Sequence, residues 1–249
     1  MVEKVFIVCR CGVNMDREAI KKISSEIDKI GEDLVKCNNN CEGVCGGNEE
    51  DKKKGIMPRC LYFEERHGEG GIIVVGMNPG VADEKYEKNE FLDKEKRNYP
   101  CYKSFFEKKM LRVDGKNYYN PVRKVVDKLG FNGSILWTEI VKCQCAEKKK
   151  NLTKETKIIC ANNFLKKEVK TTPSDWQIIT IGNPAYDLCS KLFSKRKIIG
   201  IYHNSGQARR YWKKFLKKFN ETTKDEIREY LKLKLNNSKA FHLRMLEGI

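Results

Sequence analysis

Four short runs constrain this chain more than anything else in it. Residues 71–76 (GIIVVG), 134–141, 176–181 and 197–202 are each rich in Ile, Val or aromatic residues. Their apolarity is nearly continuous, which suits strands buried on both faces rather than strands with one wet face. Helix-forming stretches lie between them, at 121–129, 154–169, 184–193, 207–219 and 224–235. In 154–169 the pattern puts Ile158, Ile159, Phe164 and Leu165 on one side, and in 184–193 a proline sits in the first turn, where its missing N–H is harmless. Strands alternating with helices imply a parallel sheet, so the expected fold is α/β: a three-layer α/β/α sandwich around a central four-stranded, mainly parallel sheet.

The first 60 residues differ. Residues 15–30 read as an amphipathic helix, CNNNCEGVCGG as a loop dense in Cys, Asn and Gly, and EEDKKKG as a charged linker. The expected organisation is an N-terminal helix and Cys-rich segment over 1–60 and an α/β/α domain over 61–249. No run approaches the ~20 apolar residues of a membrane span, and the N-terminus has too short an apolar core for a signal peptide. An intracellular, cytoplasmic monomer without a membrane partner is expected. Eleven cysteines in that setting are better read as metal ligands or core thiols than as a disulfide framework.

Charge points to the partner. There are 50 Lys and Arg against 34 Asp and Glu, a formal net charge of +16. A solvated Lys/Glu-rich surface would be the plainer explanation, but residues 191–219 hold ten Lys or Arg and no acid. Such a concentration favours a polyanion, nucleic acid above all.

In a parallel sheet, ligands bind outside the carboxyl ends of the strands. Four segments fall there: GMNPG after the first run, TEIVKC in the second, GNP after the third and HNSG after the fourth. GMNPG resembles the first active-site motif of the uracil-DNA glycosylase superfamily, in particular that of the single-strand-selective monofunctional uracil glycosylases. WTEIVKCQC followed by LTKETKIICANNFLKKEV resembles the segment of the iron–sulfur uracil glycosylases that carries Thr-Asn-X-Val-Lys-Cys, a basic loop and a helix with a further Cys. IITIGNPAYDL resembles their third strand, and IYHNSGQARRYW their second active-site motif and the loop that enters the DNA minor groove. The resemblance covers roughly residues 70–220.

The resemblance implies a monofunctional glycosylase that flips a base out of DNA and hydrolyses its glycosidic bond. Asn78 would position the water and His203 would donate to the base oxygen as charge develops. Gly76 and Met77 would bring backbone N–H groups to the base. Glu139 stands where the family has the base-reading Asn, and Tyr86, Phe91 and Tyr99 are the candidates for stacking on the flipped base. Ser205, Gly206, Gln207, Arg209 and Arg210 would contact DNA, single- or double-stranded. Asn204 replaces the usual Pro of that loop. No Lys stands at a motif position, so lyase chemistry is not expected. The plainer reading of Asn78 is a turn cap, of His203 a hydrogen-bonded structural His, and of Trp212 and Phe215 core residues at helical spacing.

By the same resemblance Cys143 and Cys160 are the later two ligands of a [4Fe–4S] cluster, with Cys41 and Cys45 the earlier pair and Cys37 and Cys60 as substitutes. Four thiolates suit that cluster, and zinc is the alternative. The cluster's role would be structural, holding the N-terminal segment and the basic EKKK loop to the sheet. Cys9, Cys11, Cys101, Cys145 and Cys189 are expected to have no ligand role, Cys189 being core. The alternative function is a catalytically inactive or zinc-stabilised nucleic-acid-binding protein of the same fold.

Overall fold

The computed structural model describes residues 17–39, 41–59, 61–77, 89–110, 119–145, 152–203 and 209–243. A six-stranded mixed sheet forms from β2 (Leu61–Glu64), β3 (Gly71–Gly76), β4 (Ser134–Glu139), β6 (Gln177–Ile181), β7 (Ile198–Ile201) and β8 (Ala240–His242), in the order β2-β4-β3-β6-β7-β8. β4, β3, β6 and β7 are mutually parallel. They are the four strands expected from the sequence, with β3 beginning and ending where the apolar run does. The expected strand count is corrected by the two edges: β2 pairs antiparallel with β4, and β8 pairs parallel with β7. A separate two-stranded ribbon joins β1 (Val44–Cys45) to β5 (Gln144–Cys145).

Successive strand residues point to opposite faces, and the apolar residues divide accordingly. Ile72 and Val74 of β3 enter one cluster with α3 (Tyr99–Phe105), α4 (Tyr119–Lys128), α8 (Arg209–Glu221) and α9 (Lys224–Asn237). Ile73 and Val75 enter a second with α1 (Arg17–Val35), α6 (Lys166–Thr171) and α7 (Asn183–Leu192). Trp212 and Phe215 lie in the first cluster, 4% and 1% exposed, and Cys189 in the second at 0%, as their helical spacing suggested.

α1 is not an appendage. Ile23, Ile27 and Leu34 are buried in the same cluster as Leu61 and Phe63 of β2. A side chain on Gly31 would overlap the Tyr99 ring, 2.2 Å from where its Cβ would stand, so helix and ring meet only because that position is glycine. The charged stretch after Cys45 is a helix rather than a linker. In α2 (Glu49–Lys53), the Asn48 side chain accepts from the Asp51 N–H, acids fill the first turn and lysines the last. Both features suit the helix dipole.

Residues 154–171 run as α5 (Lys154–Cys160), a π-helical turn over Ala161–Leu165, and α6. Thr156, Cys160, Ala161, Phe164, Leu165, Glu168 and Val169 face inward. A stripe repeating every four residues drifts around an ordinary α-helix, and the wider turn takes up that drift. Ile158 and Ile159, expected on the buried side, are therefore 40% and 37% exposed. Among the described residues no helix is long and apolar enough to cross a membrane.

Candidate functional site

β3 and β4 end side by side, with Gly76 opposite Glu139. Their pairing continues beyond both strands: Ile140 N–H donates to the Gly76 carbonyl at 3.0 Å and Val141 N–H to the Met77 carbonyl at 2.9 Å. The Glu139 side chain is 4% exposed and lies across Gly76. Its Cγ and Oε1 would each be 3.1 Å from a Cβ there, a contact tight enough to displace the carboxylate. At the end of β6, Gly182 holds φ at +83°, a conformation natural to glycine. Its N–H donates to Ile201 O of β7 at 2.8 Å. A side chain on Gly182 would touch His203, which follows β7 and is half-buried. Gly76, Met77, Glu139, Gly182 and His203 thus gather at one end of the parallel strands.

Other expected residues fall elsewhere. Asn78, Tyr86, Ser205, Gly206 and Gln207 lie outside the described residues, as do Cys60 and residues 147–150. Arg209 opens α8 and Arg210 is exposed on it. Phe91 and Tyr99, proposed as base-stacking rings, are core aromatics, 1% and 2% exposed. Phe91 packs edge-on against Phe105, and the Tyr99 hydroxyl donates to Leu61 O at 3.1 Å. Burial among core rings leaves them no open face in this state. Among the described residues, an aromatic stack near the strand ends is a pair the sequence did not single out as a unit: half-buried Tyr202 and exposed Tyr211, with ring centres 5.7 Å apart and planes 17° from parallel.

A second polar centre lies three residues beyond β4. The Lys142 ammonium, 0% exposed, pairs with the equally buried Glu168 at 2.7 Å and also donates to the Thr138 hydroxyl, which in turn donates to Glu168. Two buried charges stand together where either alone would be prohibitive.

The backbone N–H of Lys142 donates to Cys160 Sγ at 3.3 Å. Cys160 belongs to a small cavity that Cys37, Cys41 and Cys143 also line, walled by Leu34, Val44, Val141 and Phe164. Burial pushes the Cys143 thiol well up, and Cys160, Cys37 and Cys41 add to the push. Cys160 is raised to about 11, burial outweighing the relief given by the Lys142 N–H and ammonium. Cys41 is raised by burial and then by Cys37. Cys45, expected as a ligand, is not among the lining residues. Val44 is, and on β1 the next side chain points the other way. Cys37, at the end of α1, stands in its place. The loop is held to its partners by the β1–β5 ribbon and by the Thr156 hydroxyl, which donates to Glu42 O at 3.0 Å.

Among the described residues, no group of three or more His, Cys, Asp or Glu is drawn together at metal-binding geometry. The donor set nevertheless fits a thiophilic centre. Four thiols line one cavity, and thiolate sulfur is the ligand that iron–sulfur clusters and zinc take. No protein-family profile matches the chain, and no curated protein matches it.

Proposed function

We propose that this chain is a monofunctional DNA glycosylase, related to the uracil-DNA glycosylases, that uses water to release a damaged or deaminated base. The observation that carries the reading is the gathering of Gly76, Met77, Glu139, Gly182 and His203 at the carboxyl ends of the parallel strands, where sheets of this kind bind ligands. A helix whose exposed face is basic follows at once. The two apolar clusters on opposite faces of the sheet support a three-layer α/β/α sandwich with the four parallel strands at its centre.

In this reading the flipped base enters between the β3 and β7 ends. Asn78, next after Met77, orients the attacking water, and His203 donates to the base oxygen as negative charge grows on the departing base. Glu139 faces the base edge. An ionised carboxylate only accepts hydrogen bonds, so it suits an exocyclic amine and opposes a carbonyl. A buried polar group left unmatched costs about 1–3 kcal/mol, so uracil should be a poor substrate.

Cys37, Cys41, Cys143 and Cys160 would hold a [4Fe–4S] cluster or, failing that, zinc. Bound there, the group supplies a structural tie between α1, the segment after β4, and α5. Visible absorbance and iron content of the purified protein distinguish the two metals.

The test is a panel of oligonucleotides carrying uracil, hypoxanthine, xanthine, and oxidised and alkylated bases, scored for abasic product. Asn78→Ala should abolish most turnover while keeping DNA affinity, and Glu139→Asn should raise uracil excision relative to amine-bearing bases. A second reading is favoured by one observation, the Glu at position 139 where the related enzymes have Asn: a nucleic-acid-binding protein that keeps the fold without catalysis. DNA binding with no abasic product on any base selects it and overturns the first.

A further inference from the structure

α8 has two unlike faces. Trp212, Phe215 and Phe219 are buried in the core, while Arg210, Lys213, Lys214 and Lys217 are exposed. Positions 210, 213, 214 and 217 share one helical stripe, about 10 Å long at 1.5 Å per residue. Among the described residues, none of these four cations has an ion-pair partner, whereas Lys29, Lys103 and Arg228 on other helices each have an acid. Like charges three and four apart oppose the helix that carries them, and cations in its first turn oppose its dipole. An anion in front of the stripe would relieve both effects.

Beside the stripe lies an aromatic step. Phe215 is in the core, Tyr202 packs edge-on to it at 6.4 Å, and Tyr211 stacks on Tyr202 and is 56% exposed. The order is buried ring, half-buried ring, exposed ring, and the outermost has a face open to solvent. Tyr202 immediately precedes His203.

We propose that Tyr202 and Tyr211, with Arg210, Lys213, Lys214 and Lys217, form a landing surface for single-stranded nucleic acid, an unpaired base stacking on Tyr211 and the adjoining phosphates running along the basic stripe. Cations alone grip either strand form, because phosphate contacts carry no preference for unpaired bases. A ring face open to solvent beside them is what adds affinity for an unpaired base. Paired bases in a duplex are already stacked and have no face to give. The inference gives strand preference to the strand-end site and rests on the glycosylase reading for its use, but its test reads binding alone.

The experiment is fluorescence anisotropy with the full chain, using a labelled oligothymidylate and a duplex of equal length at two salt concentrations. The native protein should bind the single strand more tightly. Tyr211→Ala should weaken that binding by about 5- to 150-fold, the range of one lost stacking contact, and leave duplex affinity unchanged. Tyr211→Phe should restore it. Lys213→Gln with Lys217→Gln should weaken both forms and flatten the single-strand salt slope by about 0.7 per lost phosphate contact. Unchanged melting temperatures establish that the variants fold. Equal losses on both strand forms, or none, for Tyr211→Ala would overturn the proposal while leaving base release intact. Base release absent with these binding effects present would instead remove the glycosylase reading.

Discussion

Cys189 and the cavity thiols Cys143 and Cys160 belong to the same core cluster and are buried alike, with Cys37 and Cys41 half-buried in the same cavity, yet they differ in kind. Cys189 on α7 is 0% exposed, and its thiol is pushed up to about 12 by burial alone, with the Lys142 charge opposing. Cys143 is raised by burial and then by Cys160, Cys37 and Cys41, and Cys41 by burial and then by Cys37. One is a small apolar side chain that happens to contain sulfur. The others line one small cavity together with Leu34, Val44, Val141 and Phe164, and they reach it from separate segments of the chain. That convergence, and not burial, is what the proposed metal site rests on.

The sharpest way to break this comparison is Cys160→Ser or Cys143→Ser. With the proposed ligand set, either should leave the purified protein without metal and lower Tm by on the order of 10 °C, since several kcal/mol of ligation are lost and each is worth about 2–4 °C in a domain of this size. Metal analysis and a thermal melt read both, and a variant that keeps its metal is not a ligand mutant. Next is a paired substitution, Cys37→Ser against Cys45→Ser. The first should behave like Cys160→Ser and the second should retain metal with Tm within a few degrees. A reversal would restore the ligand set expected from sequence.

Smaller effects are expected at Cys189. Cys189→Ala should cost about 1 kcal/mol for the lost sulfur, as other modest core truncations do, with metal content unchanged. The same pair of proteins tests the thiol's environment through pH. The folded-state pKa, raised from 9.0 to about 12, keeps the native thiol protonated while the unfolded chain ionises. Its contribution is whole below the unfolded pKa and is lost as pH rises toward the folded one. Near pH 10 the deficit approaches 1–2 kcal/mol, at about 1.4 kcal/mol per pH unit. Urea melts should therefore show the native protein ahead of Cys189→Ala at neutral pH and level with it or behind it near pH 10. Parallel curves would mean that Cys189 ionises freely in the folded state.

What the sequence disclosed follows the physics of each element. β3, β4, β6 and β7 were legible because strands covered on both faces leave nearly continuous apolar runs. β2 and β8 were not. Leu61–Glu64 sends Leu61 and Phe63 to one cluster and Tyr62 to the other within four residues, and Ala240–His242 holds no β-branched residue. Of the four thiols that line the cavity, Cys41, Cys143 and Cys160 were singled out by the sequence and Cys37 was a substitute for Cys45. Linear spacing cannot separate Cys37 from Cys45, because the choice depends on where α1 ends and which way β1 turns its side chains. Phe91 and Tyr99 mark the same limit at the strand ends. An aromatic in the right stretch of chain can be aimed at a ligand or at the core, and only packing decides. Glu139 was legible as a departure, and its position across Gly76 was not.

The placement of α1 has a consequence for the order of events during synthesis. α1 leaves the ribosome early, but its buried face is closed by α6. Cys37 and Cys41 likewise meet Cys143 and Cys160, partners made roughly a hundred residues later. Closing so long a loop is entropically costly and comes late. Until then the nascent chain carries an unfilled amphipathic helix and a set of half-assembled thiols, a state open to aggregation and oxidation. A chain stopped short of α6 should accordingly be recovered as a chaperone client and not as a folded fragment.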